Sequence, residues 1–180
     1  MPTTLQRPPP LDDPRRCGWA RNDAILARYH DREWGRPIRT DPGHLERMAL
    51  EIFQCGLSWR IVLVKRRALR EAFERFDVVR VASMTARDVQ RLIRNAAIIR
   101  NRRKIEATIH NAQRFLEIAD EHGSYRRWFK PLPAATTAQR RRLFEQFRAT
   151  FRFMGPETTK CYFMGVGKIA PPHERRCWLR

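Results

Sequence analysis

The chain has 180 residues, enough to bury a core without covalent staples, and its 42% hydrophobic content excludes an intrinsically disordered protein. Thirty-seven Lys and Arg against nineteen Asp and Glu give a net charge of +18 and a sequence pI near 11.3, a balance that draws polyanions, phosphate backbones above all. No apolar run approaches the roughly 20 residues of a membrane span, and four scattered cysteines, at 17, 55, 161 and 177, exclude a secreted disulfide scaffold and point to a cytoplasmic chain.

In chain order, residues 1–14, "MPTTLQRPPPLDDP", read as a disordered, proline-stiffened tail before a single domain over 15–180. "HLERMALEIFQCGL" carries Leu45, Met48, Ala49 and Ile52 at helical spacing and should end at Gly56. "SWRIVLVKRRALREAFERF" turns Val62, Leu69, Phe73 and Phe76 toward a core, with Arg and Lys on the opposite face. "SMTARDVQRLI" has a capped start, Thr85 followed three residues later by Asp88. Its helix should break near "RNAA" and resume through "RNRRKIEATIHNAQRFLEIADEHG", stopping at Gly123. A last helix is expected in "TAQRRRLFEQFRATF", with Thr137 near its start. No strand alternation of useful length and no repeat appears, so the fold class is all-α.

Two features bear on chemistry. Within 85–118, "DVQRLIRNAAIIRNRRKIEATIHNA" is a helix, short turn, helix unit. Its turn N–H groups and second helix N-terminus make a phosphate seat among arginines, although an ordinary αα-hairpin fits the same pattern. His173 and Cys177 lie four apart, one helical turn, and from a shared face can hold one metal ion; by themselves they are half a site on a tail with a stray thiol. Cys17 and His30 are the candidates for the other half. Their C-x12-H spacing matches no local zinc-finger rule, and a core thiol and a satisfied polar histidine fit them equally well.

"RCGW", "YHDREWG", "LEIFQCGLSWRIVLVKR" and "IIRNRRKIEATIHNA", in that order, resemble the type I 3-methyladenine DNA glycosylases, and the likeness returns in "FRFMGPETTKCYFMGVG" and the final H-x3-C. The resemblance implies a helix-hairpin-helix glycosylase fold in which a structural Zn2+, held by Cys17, His30, His173 and Cys177, joins the two chain ends. It implies a pocket in which Glu51 recognises the base and acts catalytically by electrostatics, Trp59 stacks on the base, and Tyr29, Trp19 and Trp34 complete the wall. The hairpin, through Ala97, Ile98, Arg100, Arg102 and Lys104, would clamp double-stranded DNA carrying alkylated purines, with Leu57 inserted into the stack. The implied reaction is monofunctional hydrolysis of the glycosidic bond of 3-methyladenine, by a monomer working in the cytoplasm at the nucleoid.

The sequence departs from the family pattern at several points. Ile52 and Phe53 follow Glu51 where a glycine is usual after the glutamate, beside the expected pocket. Ala97 replaces a turn glycine, "APPH" replaces "VNDH" before the third ligand, and the stretch from Ala119 to Phe147 is shorter. Cys55 and Cys161 are read as small core residues. Two other readings fit the charge: a non-catalytic zinc-containing protein that binds damaged DNA, and a basic RNA-binding protein.

Overall fold

The computed structural model describes residues 8–180, which are helical with no strand among them. Helix α1 (Ala24–Arg32) starts where the Asp23 carboxylate accepts from the N–H groups of Ile25 and Leu26. Helix α2 (Asp41–Gln54) is capped by Thr40, carries proline in its first turn, and is the centre of the molecule. Leu45, Met48, Ala49 and Ile52 are buried as their spacing predicts. So are His44, Glu46, Arg47 and Glu51, because α2 is enclosed by neighbours and has no solvent face along its middle. Gly56, at φ +78, takes the left-handed conformation that ends this helix.

Ser58 caps α3 (Trp59–Ala72), which delivers Val62, Leu69 and, just beyond it, Phe73 and Phe76 into the core. A 3-10 turn, Glu74–Phe76, leads to a short helix, α4 (Val78–Ala82). Helix α5 (Ala86–Arg94) opens with the expected box, Asp88 Oδ2 accepting from Thr85 N at 2.9 Å. The chain turns over 95–101 and continues as α6 (Arg102–His122), capped by Asn101 and ended by Gly123 at φ +79. Helix α7 (Tyr125–Phe129) follows. Then α8 (Thr137–Thr150) starts at Thr137 as expected and is capped by Thr136, with Gln139 completing the box. The last helix, α9 (Pro156–Gly165), begins on its proline. Phe115, Tyr125, Phe129, Phe147, Phe151, Tyr162 and Phe163 close the core between α6, α8 and α9 as one aromatic cluster.

Residues 1–7 of the expected disordered tail lie outside the described residues; residues 9–11 are tied down instead. The guanidinium of Arg16, itself fully buried, donates to the carbonyls of Pro9 (2.7 Å), Pro10 (2.6 Å) and Leu11 (3.1 Å).

Candidate active site and metal centre

The four candidate ligands meet. Cys17 precedes a 3-10 turn, Gly18–Ala20; His30 lies on α1; His173 and Cys177 come from the C-terminal segment. The ligand atoms all lie within 4.8 Å of one another. Cys17 Sγ and His173 Nδ1 are 3.7 Å apart, Cys177 Sγ and His30 Nε2 3.5 Å, and Cys177 Sγ and His173 Nδ1 3.3 Å. Tetrahedral ligands at about 2.0–2.3 Å from one ion stand roughly 3.3–3.8 Å apart; these three spacings fall in that range, so the four residues could hold a metal ion. The expectation that His173 and Cys177 share a helical turn is corrected: the segment has no helix, and turns closed by His173 N to Pro171 O and Cys177 N to Glu174 O bring the two together. Proline at 171 and 172 accounts for the difference.

A second ring of residues, which the sequence did not reveal, orients the ligands. His30 Nδ1 and Asp31 Oδ1 are 2.8 Å apart, which leaves Nε2 facing the cluster. Asp31 is held in turn by Arg16 at 2.8 Å and by Trp178 Nε1 at 3.4 Å. The C-terminal segment is sealed against the N-terminal one by Gly18 N donating to Glu174 Oε1 (2.6 Å) and Trp178 N to Arg15 O (2.8 Å). Trp34 stands edge-on to His173 at 4.8 Å and to Trp19 at 5.1 Å, and Trp19 reaches Tyr29 at 6.2 Å. Both tryptophans therefore link the cluster to the neighbouring pocket; Trp34 lies on the cluster side and half-exposed Trp19 between the two.

That pocket is built on α1, α2, α3 and α9. Tyr29 and Trp59 stand edge to face at 5.0 Å. Glu51 is 6% exposed and, among the described residues, no hydrogen-bond donor meets its carboxylate. Burial pushes its carboxyl up to about 7, against the pull of Arg47 one turn earlier. Arg47, 4% exposed, places its guanidinium 4.7 Å from the Tyr29 ring centre and 5.8 Å from that of Trp59, donates to the Tyr29 hydroxyl, and lies 3.8 Å from Glu33. A Cβ on Gly165 would stand 3.4 Å from Glu51 Oε1 and 3.3 Å from Arg47 Cδ, so glycine keeps this space open. Burial pushes the nearby Cys161 thiol up to about 11, with the Glu51 charge adding to it. Trp59 Nε1 is buried with no partner among the described residues. This part of the molecule thus gathers two aromatic rings, a buried carboxylate and an unused N–H.

Arg47 is the residue of this pocket that sequence reading missed; the available signal was a charged residue four positions before Glu51, on the same helical face. Ile52 and Phe53 pack into the hydrophobic core rather than the pocket, Phe53 standing 6.0 Å from Phe73.

Of the expected DNA contacts, Ala97, Arg100 and Arg102 are exposed on the α5–α6 turn and the start of α6. Leu57 is half-buried in the α2–α3 link. Lys65 on α3 donates to the carbonyls of Ala96 (3.2 Å) and Ala97 (2.9 Å), fixing the turn. Two placements correct the expectation. Ile98 buries its side chain in the core, and its N–H donates to Asn95 O at 3.3 Å within the turn. Lys104 turns inward and donates to the carbonyls of Phe53 (2.9 Å) and Cys55 (2.5 Å), because the end of α2 presents unpaired acceptors that a cation satisfies.

The profile of the family described as Methyladenine glycosylase matches residues 19–150. The chain is 47% identical over 103 residues to DNA-3-methyladenine glycosylase 1 of Escherichia coli (strain K12), a match spanning 57% of this chain and 55% of that protein. It is 44% identical over 101 residues to the DNA-3-methyladenine glycosylase of Haemophilus influenzae, spanning 56% and 55%. These matches span about half the length of each curated relative. Among solved structures, a crystal structure of 3-methyladenine DNA glycosylase I superposes with a TM-score of 0.80 at 31% identity, covering 91% of this chain and 98% of that one. A Staphylococcus aureus structure on 3-methyladenine recognition superposes with a TM-score of 0.81 at 28% identity, covering 91% and 95%.

Proposed function

Because the chain belongs to the methyladenine glycosylase family, we propose that it is a monofunctional DNA glycosylase that hydrolyses the N-glycosidic bond of 3-methyladenine in double-stranded DNA and leaves an abasic site. The observation that carries this reading is the buried, unpartnered carboxylate of Glu51 beside the Tyr29–Trp59 pair. A base must leave the helix to be cut, and the enzyme needs a slot to receive it. An N3-methylated adenine is cationic; aromatic faces attract it more than a normal adenine, and a carboxylate accepts from its exocyclic amine while favouring its charge. Arg47 opposes a cation, but Glu33 lies beside it, so Glu51 is the acid left to meet the base.

The cationic base is already a good leaving group. Glu51 then acts by stabilising charge as the bond lengthens, and water completes the hydrolysis. Cys17, His30, His173 and Cys177 would hold Zn2+ as a structural ion, with no position left for a reacting water. The α5–α6 unit is read as the helix-hairpin-helix clamp, Arg100 and Arg102 offering charge to phosphates beside the Ala97–Ile98 turn, with Leu57 entering the stack. The protein would act as a monomer.

The test uses methylated duplex DNA, with released bases resolved by chromatography. Free 3-methyladenine from the wild type, and little from Glu51→Gln, supports the reading. A folded protein that releases no base from any methylated duplex removes the glycosylase assignment and leaves damage binding.

A further inference from the structure

Outside the pocket and the hairpin turn lies a groove of about 650 Å³ between the start of α6 and the loop joining α8 to α9. Arg103, Glu106 and His110 line one side; Arg148, Arg152 and Phe153 line the other. Arg103, Arg148 and Arg152 are exposed, and none has a carboxylate partner among the described residues. The acid of the groove, Glu106, faces Arg102 at 3.3 Å. The groove is thus a strip of free guanidinium groups.

Its loop is held in one shape. Asn111, fully buried on α6, accepts from Arg152 N at 2.8 Å and donates to Arg152 O at 3.1 Å, gripping that residue by both backbone groups. Phe151 and Met154 are buried on either side. Between them Phe153 is 39% exposed at φ +62, a conformation that costs a bulky L-residue energy and that glycine takes freely. A strained, solvent-facing aromatic held by buried anchors is the kind of outlier that marks function.

The groove also lies next to the elements assigned to DNA. Thr158 in the first turn of α9 places Oγ1 3.5 Å from Cys55 Sγ, and Lys104 at the start of α6 donates to Cys55 O. The Leu57 link, the start of α6 and the 151–155 loop therefore converge on one region.

We infer that this groove is a separate contact for the duplex, in which Arg103, Arg148 and Arg152 take backbone phosphates and Phe153 packs on a sugar or base beside them. Three unpaired guanidiniums around one rigid aromatic ring match what a nucleic-acid strand offers, charge along the backbone and flat apolar faces between. The inference rests on the DNA reading above, and its test separates the two.

Affinity for an undamaged labelled duplex would be measured by fluorescence anisotropy across a salt series, for wild type, Arg148→Gln/Arg152→Gln and Phe153→Gly. Loss of two phosphate contacts should weaken binding about tenfold or more and flatten the slope of log affinity against log salt by about 1.8. Phe153→Gly should weaken binding several-fold while the melting temperature holds or rises, because glycine relieves the backbone at φ +62. Unchanged affinity and slope in the double variant overturn the inference, as does a Phe153→Gly protein that melts lower yet binds as before, which would make Phe153 a packing residue. Tighter binding to a structured RNA of equal length than to duplex would also overturn it. A wild type that binds no duplex at all fails the DNA reading itself, whereas a wild type that binds and variants that bind equally fail this groove alone.

Discussion

Glu51→Gln should make the protein more stable above pH 7 and leave it nearly unchanged at pH 4.5. Burial raises the Glu51 carboxyl from 4.5 to about 7, so the folded state prefers the neutral acid. A raised carboxyl gives its full contribution below its unfolded value and loses it as pH climbs through its folded one. The loss therefore accumulates between about pH 4.5 and pH 7 and is constant above. At about 1.4 kcal/mol per pH unit it amounts to roughly 3 kcal/mol. Glutamine keeps the shape and never ionises, so the variant escapes that cost. For a chain of this size about 3 kcal/mol moves the melting temperature by roughly 6–12 °C. Melting both proteins at pH 5 and pH 8 isolates the effect, because every other titrating group cancels in the difference. The same substitution should lower excision sharply, trading activity for stability as a binding-site charge does. An equal melting difference at the two pH values would refute the argument, since Glu51 would then carry no buried charge at pH 8.

Arg47→Met removes the cation that holds Glu51 down, so the pH at which excision reaches half its plateau should move upward from near 7; an unmoved midpoint in a rate–pH profile would show that the two do not interact. Asp31→Asn, which unlocks His30, should weaken metal binding 10–100-fold in chelator competition and lower the melting temperature with it, whereas His173→Ala should reduce bound metal outright. Gly165→Ala puts a methyl group 3.4 Å from Glu51 Oε1, and should lower affinity for free 3-methyladenine about tenfold, read by tryptophan fluorescence, with the fold intact.

The long amphipathic helices were legible because their apolar residues keep one period. Leu45 to Ile52 and Val62 to Phe76 each mark a face, and Thr85–Asp88 and Gly123 mark ends by capping chemistry. Helices α4 and α7 have five residues each, too few to show a period, and α9 spends its first turns on "PETT", poor helix formers apart from the glutamate. That Cys17, His30, His173 and Cys177 gather into a cluster that could hold a metal was legible from the resemblance, since residues up to 160 positions apart share no local rule. Periodicity reports which residues line an apolar stripe, and it misses a helix buried all round. That is why Arg47 escaped notice, why Glu46 is buried between Arg66 and Arg70, and why Lys104 points inward. The Arg16 grip on residues 9–11 escaped for a related reason: an arginine that binds three carbonyls reads, in sequence, like any other positive charge.

The metal centre and the pocket share more than proximity. Tyr29 and His30 are adjacent on α1, so the helix that would offer a ring to the base would offer its next side chain to a metal. A helix anchored at His30 by Asp31, Arg16 and the C-terminal segment cannot turn about its axis without moving Tyr29, and Tyr29 is in contact with both Trp59 and Arg47. Trp19, linking Trp34 to Tyr29, braces the same wall from the other side. Loss of the ion would therefore loosen the aromatic slot before it unfolded the core, because the main cluster from Leu45 to Val166 makes no use of Cys17 or Cys177. Metal removal should accordingly weaken base binding at temperatures well below the melting transition, and tryptophan fluorescence of a chelated sample, followed alongside its helical circular dichroism, measures both. Simultaneous loss of the two signals would show instead that the ion supports the entire fold.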